Sequence, residues 1–315
     1  MRAAVVSSFD HPPRYGTIPT PEPTGEHEIL VDVLASGLHP RVRSAANGTH
    51  YTSTDELPLI PGIDGVGRTP TGELLYFVLP ETSLGAMAEH TLVDRRRSVP
   101  LPLDSDPAAI AAGMNPGMSS WIALRRRIDF EPGQRVLVLG ATGNAGQLAV
   151  QIARHLGAGH VIAAGRDPER LATLPGLGAD VTVSLADDDE ALGAVAEDVD
   201  VVIDYLWGAP AERAITALIT HRTDRGRSLD WIQIGSVAGP IAAIPSAALR
   251  AANLRIMGSG QGSVTTSAIV SELPALAAEI TAGTLTINTT SVPLSDIEAT
   301  WDEPVAAGTR IVFTP

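Results

Sequence analysis

Short apolar runs recur through the second half of the chain: RVLVLG (135–140), HVIAAG (160–165), DVTVS (180–184), DVVIDY (200–205), WIQIGS (231–236) and LRIMGS (254–259). The segments between them carry helical spacing. In the first, Leu148, Ile152 and Leu156 fall on one stripe, and Gly157 stands at the C′ position that closes such a helix. Strands alternating with helices predict an α/β fold with a parallel, doubly wound sheet, because parallel strands need helical crossovers. Six strands match a dinucleotide-binding sheet of Rossmann type.

The pattern before residue 115 differs. It is rich in Pro and Gly, with β-branched runs such as EILVDVLASG (28–37), ELLYFVL (73–79) and MAEHTLVD (87–94) that read as strands of an irregular, mostly β domain. After Gly260 the spacing predicts a helix over 265–282, a strand over 286–292, a short helix over 295–307 and a last strand over 310–314. This tail is expected to return to the N-terminal β domain. LADDDE (185–190) reads as an exposed loop entering a helix.

The stretch from Val136 to Gly157, VLVLGATGNAGQLAVQIARHLG, joins the first of these strands to its helix through a glycine-rich turn. Gly140 permits the sharp bend, Gly143 lets backbone N–H groups approach a pyrophosphate, and Gly146 lets helix and strand pack closely. The loop Gly140, Ala141, Thr142, Gly143, Asn144, Ala145 and Gly146 is therefore the candidate phosphate cradle, assisted by the helix N-terminus. The second strand ends AAGRDPERL, with Gly165 and Arg166 where an NAD-selective site carries a carboxylate. An arginine chelates a 2′-phosphate that a carboxylate repels, so the expected cofactor is NADP(H). Asp167 reads as the N-cap of a helix opening at Pro168. Later strand ends nominate Tyr205, then Gly235, Ser236 and Val237, then Ser259, Gly260 and Gln261, since ligands sit at the carboxyl ends of parallel strands.

Composition narrows the chemistry. The 315-residue chain has no cysteine, and all 22 of its basic residues are arginine. Disulfides, thiol nucleophiles, Cys-ligated zinc, Schiff bases and Walker-type P-loops are excluded. A net charge of −14 disfavours nucleic acid as a partner, and the arginine triplets 95–97 and 125–127 read as solvated or salt-bridged. MRAAVVSSFDHPP lacks a signal-like apolar run, and no apolar stretch approaches the ~18 residues of a membrane span. A cytoplasmic protein without a membrane partner is the expectation.

Six segments in order and spacing carry a resemblance: MRAAVV at the start, LPLIPGIDGVGR (57–68), GAMAEHTLVD (85–94), GMSSWIAL (117–124), GATGNAGQLAVQIA (140–153) and VPLSDIEATW (292–301). The chain resembles the medium-chain dehydrogenase/reductase superfamily, in its zinc-independent, quinone-oxidoreductase-like (zeta-crystallin-like) branch. The resemblance implies a GroES-like β domain from both chain ends (1–114 and 263–315), a Rossmann domain between them (115–262) and a homodimer. Zinc-dependent members carry a catalytic Cys where this chain has His39, Gly-His-Glu where it reads Gly62-Ile63-Asp64, and a four-cysteine lobe missing here. His39, His50, Asp64 and His90 follow no ligand spacing, and no metal is expected.

With neither metal nor lysine, charge developing on a substrate oxygen must meet hydrogen-bond donors. A quinone, or an α,β-unsaturated carbonyl attacked at its β-carbon, suits these means because conjugation spreads the charge. The reading is an NADPH-dependent reductase of such a small molecule. Candidate catalytic donors are His39 and Tyr51, with Asn47 and His50 nearby in the polar stretch GLHPRVRSAANGTHYTS, and Ser119 or Ser120. By resemblance, Ser119 matches a Thr near the nicotinamide ribose. The polar stretch reads as a loop able to act as a lid. Asp64, in PGIDGVG, reads as structural, bonding backbone in a glycine-rich turn. One alternative is an enoyl-thioester reductase with Tyr51 as the donor; another is an NADPH-binding sensor or structural protein without turnover.

Overall fold

A computed structural model describes all residues except 50–52, 54–55, 80–81, 187–188 and 305–307. Arg2–Val5 (β1) and Arg14–Thr17 (β2) form an antiparallel pair. Glu28–Gly37 (β3) is the long strand that EILVDVLASG predicts, and it leads into a helix at Pro40–Ala46 (α1). Asp64–Arg68 (β4), Leu74–Val78 (β5), His90–Asp94 (β6) and Ser98–Leu101 (β7) follow. Strand β3 pairs antiparallel with both β4 and β6. The 16-residue helix Pro107–Ile122 (α2) comes next.

Strand–helix alternation then begins. Its strands are Arg135–Leu139 (β8), His160–Gly165 (β9), Val181–Ser184 (β10), Val201–Asp204 (β11), Leu229–Gln233 (β12) and Leu254–Gly258 (β13). Among the connecting helices are Asn144–His155 (α3), Pro168–Leu171 (α4), Asp189–Val195 (α5), Gly208–His221 (α6) and Ala248–Ala251 (α7). All the pairings are parallel and the order is β10-β9-β8-β11-β12-β13, the doubly wound arrangement in which the chain reverses direction beside its first strand. Leu137, Ile162, Val202 and Trp231, one from each of four strands, are fully buried in one core. Burial on both faces explains why these strands read as continuous apolar runs.

The tail holds Thr266–Thr281 (α8), Asn288–Pro293 (β14), Ile297–Thr300 (α9) and Thr309–Thr314 (β15). Strand β15 pairs with β3 and carries β14 outside it, so the tail completes the N-terminal sheet as expected. The helix expected over 295–307 is a correction: a 3₁₀ turn at Leu294–Asp296 runs into α9, which stops at Thr300. Pro304 lacks the N–H a longer helix needs. The chain divides into two compact units, one of Met1–Asn115 with Val270–Pro315 and one of Pro116–Ile269. Among the described residues, no helix is long and apolar enough to cross a membrane.

Candidate active site

In the second unit, the turn after β8 is built as its glycines require. Gly140 has φ of 84°, a left-handed conformation open to glycine, and its N–H and that of Ala141 both donate to the Ala164 carbonyl at 2.9 Å. A Cβ on Gly146 would collide with the Gly140 carbonyl oxygen and the Ala141 backbone, so helix α3 can approach β8 only with glycine there. Gly143 is different. It caps α3 with φ of −82°, and a Cβ there would meet nothing nearer than the Gly140 oxygen at 3.6 Å. Its outer face is therefore open beside the first-turn amides of α3, which have no preceding helical carbonyl to bond. A diphosphate fits that cradle: amide donors, the helix dipole and space where a side chain would stand.

Gly165 closes β9, and a Cβ there would lie 2.5 Å from the Thr142 methyl, so glycine lets the turn pack against the second strand. Arg166 follows, exposed, with no hydrogen bond or ion pair among the described residues. Asp167 accepts from the N–H groups of Glu169 and Arg170 at 3.0 and 3.1 Å, as the N-cap of α4. Sequence reasoning missed Arg170. Its Nη1 donates to the Thr142 carbonyl at 3.4 Å and its Nε lies 3.2 Å from Asp167, which ties the β9 exit to the glycine turn. Its spacing after Gly165 was the only available signal.

The central strand ends bring two further candidates together. Tyr205, just after β11, lies with its Oη 2.8 Å from the Ser119 Oγ, and Ser119 donates to the Pro116 carbonyl at 2.6 Å, leaving the phenol to donate to Ser119. Burial pushes the Tyr205 phenol up to about 12, with the Ser119 and Ser120 hydroxyls pulling the other way, so it stays protonated. Ser120, fully buried, also donates to the Gly117 carbonyl at 3.4 Å. Asp204 fixes this corner: Oδ1 accepts from the N–H groups of Leu206 and Trp207 at 2.8 and 3.0 Å, and Oδ2 from the Trp231 indole at 3.0 Å.

Gly235 abuts the same corner, since a Cβ there would lie 2.7 Å from the Tyr205 carbonyl, while Ser236 and Val237 are exposed beyond it. Ser259 is buried and its N–H donates to Gln233 at 2.8 Å; Gly260 closes a turn with Ser263, and Gln261 bridges to Val264. These last three follow the edge strand β13, three strands or about 14 Å from β8.

The first unit holds a buried polar cluster. His39, 5% exposed at the N-cap of α1, places Nε2 3.3 Å from Asp64 Oδ1, and Tyr76 donates from Oη to Asp64 Oδ2 at 2.8 Å. Arg310, also buried, donates to the Leu38 carbonyl at 3.2 Å. Burial pushes Arg310 down to about 10, opposed by the Asp64 carboxylate. Burial likewise holds the His39 imidazole below its usual value, with Asp64 pulling it up and Arg310 and Arg41 pushing it down; burial raises the Tyr76 phenol, with the Asp64 charge adding to it.

Two expectations are corrected here. Asp64 is not a backbone brace in a turn: it opens β4, and its carboxylate bonds side chains, because β5 brings Tyr76 and α1 brings His39 to it. The stretch after Gly37 is not wholly a polar loop, since Pro40–Ala46 is helical with Val42 and Ala46 buried. His50 and Tyr51 lie outside the described residues, and with them the donor of the enoyl-reductase reading. Asn47 ends α1 and bonds Thr49. His90 pairs with Asp32 at 2.9 Å on β3 and β6.

Comparison with known proteins accords with this architecture. Residues 145–281 match the family model described as zinc-binding dehydrogenase. A probable NADPH-dependent quinone reductase of Emericella nidulans is 32% identical, covering 100% of both chains. The NADPH-dependent alkenal/one oxidoreductase of Arabidopsis thaliana is 27% identical over 58% of this chain and 50% of its own. The crystal structure of the quinone oxidoreductase from Thermus thermophilus, also determined with NADPH, superposes with a TM-score of 0.82 at 27% identity over 100% of both chains. The chain belongs to the medium-chain dehydrogenase/reductase superfamily, in its quinone-oxidoreductase-like branch. Its two units are accordingly of GroES-like and Rossmann type. The zinc in the family model's description does not fit this chain's donors. There is no cysteine, both Asp64 oxygens already accept from side chains, and no cluster of three or more ligand residues occurs among the described residues.

Proposed function

We propose that this protein is an NADPH-dependent oxidoreductase that reduces a quinone, or the β-carbon of an α,β-unsaturated carbonyl, without a metal. The observation carrying the reading is the open face of Gly143 beside the α3 amides, with the exposed Arg166, unpaired among the described residues, at the end of the neighbouring strand. NADP(H), when bound, supplies the hydride. The loop 140–146 holds the diphosphate, Arg166 engages the 2′-phosphate, and Tyr205 with Ser119 forms a protonated hydroxyl pair for the nicotinamide ribose. His39 is the candidate proton donor to the substrate oxygen. The family resemblance supports a homodimer, and the composition supports a cytoplasmic setting.

The test follows NADPH absorbance with a panel of small quinones, alkenals and an enoyl-CoA. Turnover is expected with the quinones and alkenals. Quenching of cofactor fluorescence with no loss of absorbance against any acceptor would replace the enzyme by a binding protein. Turnover confined to the enoyl-CoA would select the enoyl-thioester reductase.

A further inference from the structure

The Asp64 carboxylate is fully buried and both of its oxygens are taken by side chains, His39 on Oδ1 and Tyr76 on Oδ2. The backbone is pinned as well: Ser36 Oγ donates to the Asp64 carbonyl at 3.1 Å, and β4 is clamped between β3 and β5. An ionised carboxylate only accepts hydrogen bonds, so the His39 nitrogen that faces it carries a proton. The other ring nitrogen, Nδ1, makes no hydrogen bond among the described residues. Three charged groups bear on this ring, Asp64 on β4, Arg310 on β15 and Arg41 on α1, and Tyr76 on β5 reaches it through Asp64.

We propose that Asp64 and Tyr76 are positioning residues for His39: the phenol orients the carboxylate, and the carboxylate holds the Nε2–H edge of the imidazole, leaving Nδ1 as the atom that hands a proton to the reduced substrate. This rests on the reductase reading. Two-electron reduction of a conjugated carbonyl leaves an oxyanion. In the imidazolium form of His39 the Nδ1–H bond breaks, its electron pair stays on nitrogen and an O–H bond forms on the substrate. The neutral ring keeps Nε2–H on Asp64, and a solvent proton restores Nδ1. Asp64 serves the step twice, by fixing the ring and by favouring the cation against the burial that opposes it.

The experiment uses the full chain labelled with 15N-histidine, with NMR and steady-state kinetics against the best quinone of the panel. At neutral pH the His39 signals are expected to report the Nε2–H tautomer. In Asp64→Asn the His39 titration is expected to move about one pH unit lower, and kcat above that pKa to fall about tenfold because the imidazolium fraction falls tenfold per unit. The descending limb of the kcat profile moves with the NMR titration, while KM for NADPH stays within about twofold. Tyr76→Phe, which removes one hydroxyl, gives the same direction with a smaller shift and carries the test if the buried asparagine fails to fold. A His39 whose tautomer and titration are unchanged in both variants overturns the proposal whatever the activity. NMR behaviour as expected in a protein that reduces no acceptor overturns the reductase reading and with it the proton transfer.

Discussion

Under the proposed function, Arg166 is the residue on which cofactor choice turns. It is exposed at the end of β9 and unpaired among the described residues, so its guanidinium is available without breaking a contact seen there. Charge-assisted hydrogen bonds to a phosphate contribute ~1.5–3 kcal/mol, so Arg166→Ala is expected to weaken NADPH binding by about ten- to a hundredfold while NADH binding barely changes. Equal losses for the two cofactors, measured as dissociation constants by fluorescence, would remove Arg166 from the role. Arg170 sets a contrast. It bonds the Thr142 carbonyl, so Arg170→Ala should weaken both cofactors by loosening the turn they share. Arg166 stood out in the sequence because its place after a strand and its charge both point to a phosphate; its role awaits that measurement. Asp64, Tyr76, Arg310 and Arg170 were not read as a site: Tyr76 sits in an apolar run that reads as core, and Arg310 reaches the Leu38 carbonyl beside His39 only because β15 pairs with β3. A contact between residues as far apart as Arg310 and Leu38 leaves no spacing to read.

Elements were legible wherever burial forces a pattern. The β9 and β3 runs coincide with their strands, and the others differ by one to a few residues at their ends, where turn hydrogen bonds decide. Less visible was what holds the exit of β11. Trp207 adopts φ of 53°, which a large side chain resists, and the Asp204 carboxylate bonds its N–H and that of Leu206. Burial raises the Asp204 carboxyl while the N–H groups of Trp207, Leu206 and Trp231 oppose that shift, so the group spends stability to fix a corner next to Tyr205. Asp204→Ala would leave the buried Trp231 indole N–H without its acceptor and release the strained turn. The expected cost is about 3 kcal/mol, read as a fall of several degrees in the thermal midpoint. A weakened Tyr205–Ser119 contact should accompany it, seen as a higher KM for NADPH. An unchanged midpoint would mean that the corner is held by the packing of α6 alone.

At the scale of the molecule, composition and architecture make one statement about chemistry. The sheet order and the kinship with quinone oxidoreductases place this chain in a superfamily whose zinc-dependent members, as the resemblance implies, carry Cys and Gly-His-Glu where they use a metal. At those positions the resemblance puts His39 and Asp64, which bond each other, and the chain has no thiol to complete a zinc site. A buried hydrogen-bonded pair, joined by the Tyr76 phenol and acted on by the charge of the Arg310 guanidinium, is proposed to put a proton donor there instead of a Lewis acid. Dialysis against a strong chelator should therefore leave the rate of NADPH oxidation with a quinone unchanged, and added zinc should not raise it. Simple ketones, which lack conjugation to spread the charge, should turn over at least about a hundredfold more slowly than quinones, the scale of help that one positioned electrophile gives. Inhibition by the chelator that zinc reverses would require three ligands from this chain, and would show that the His39–Asp64 bond opens to supply them.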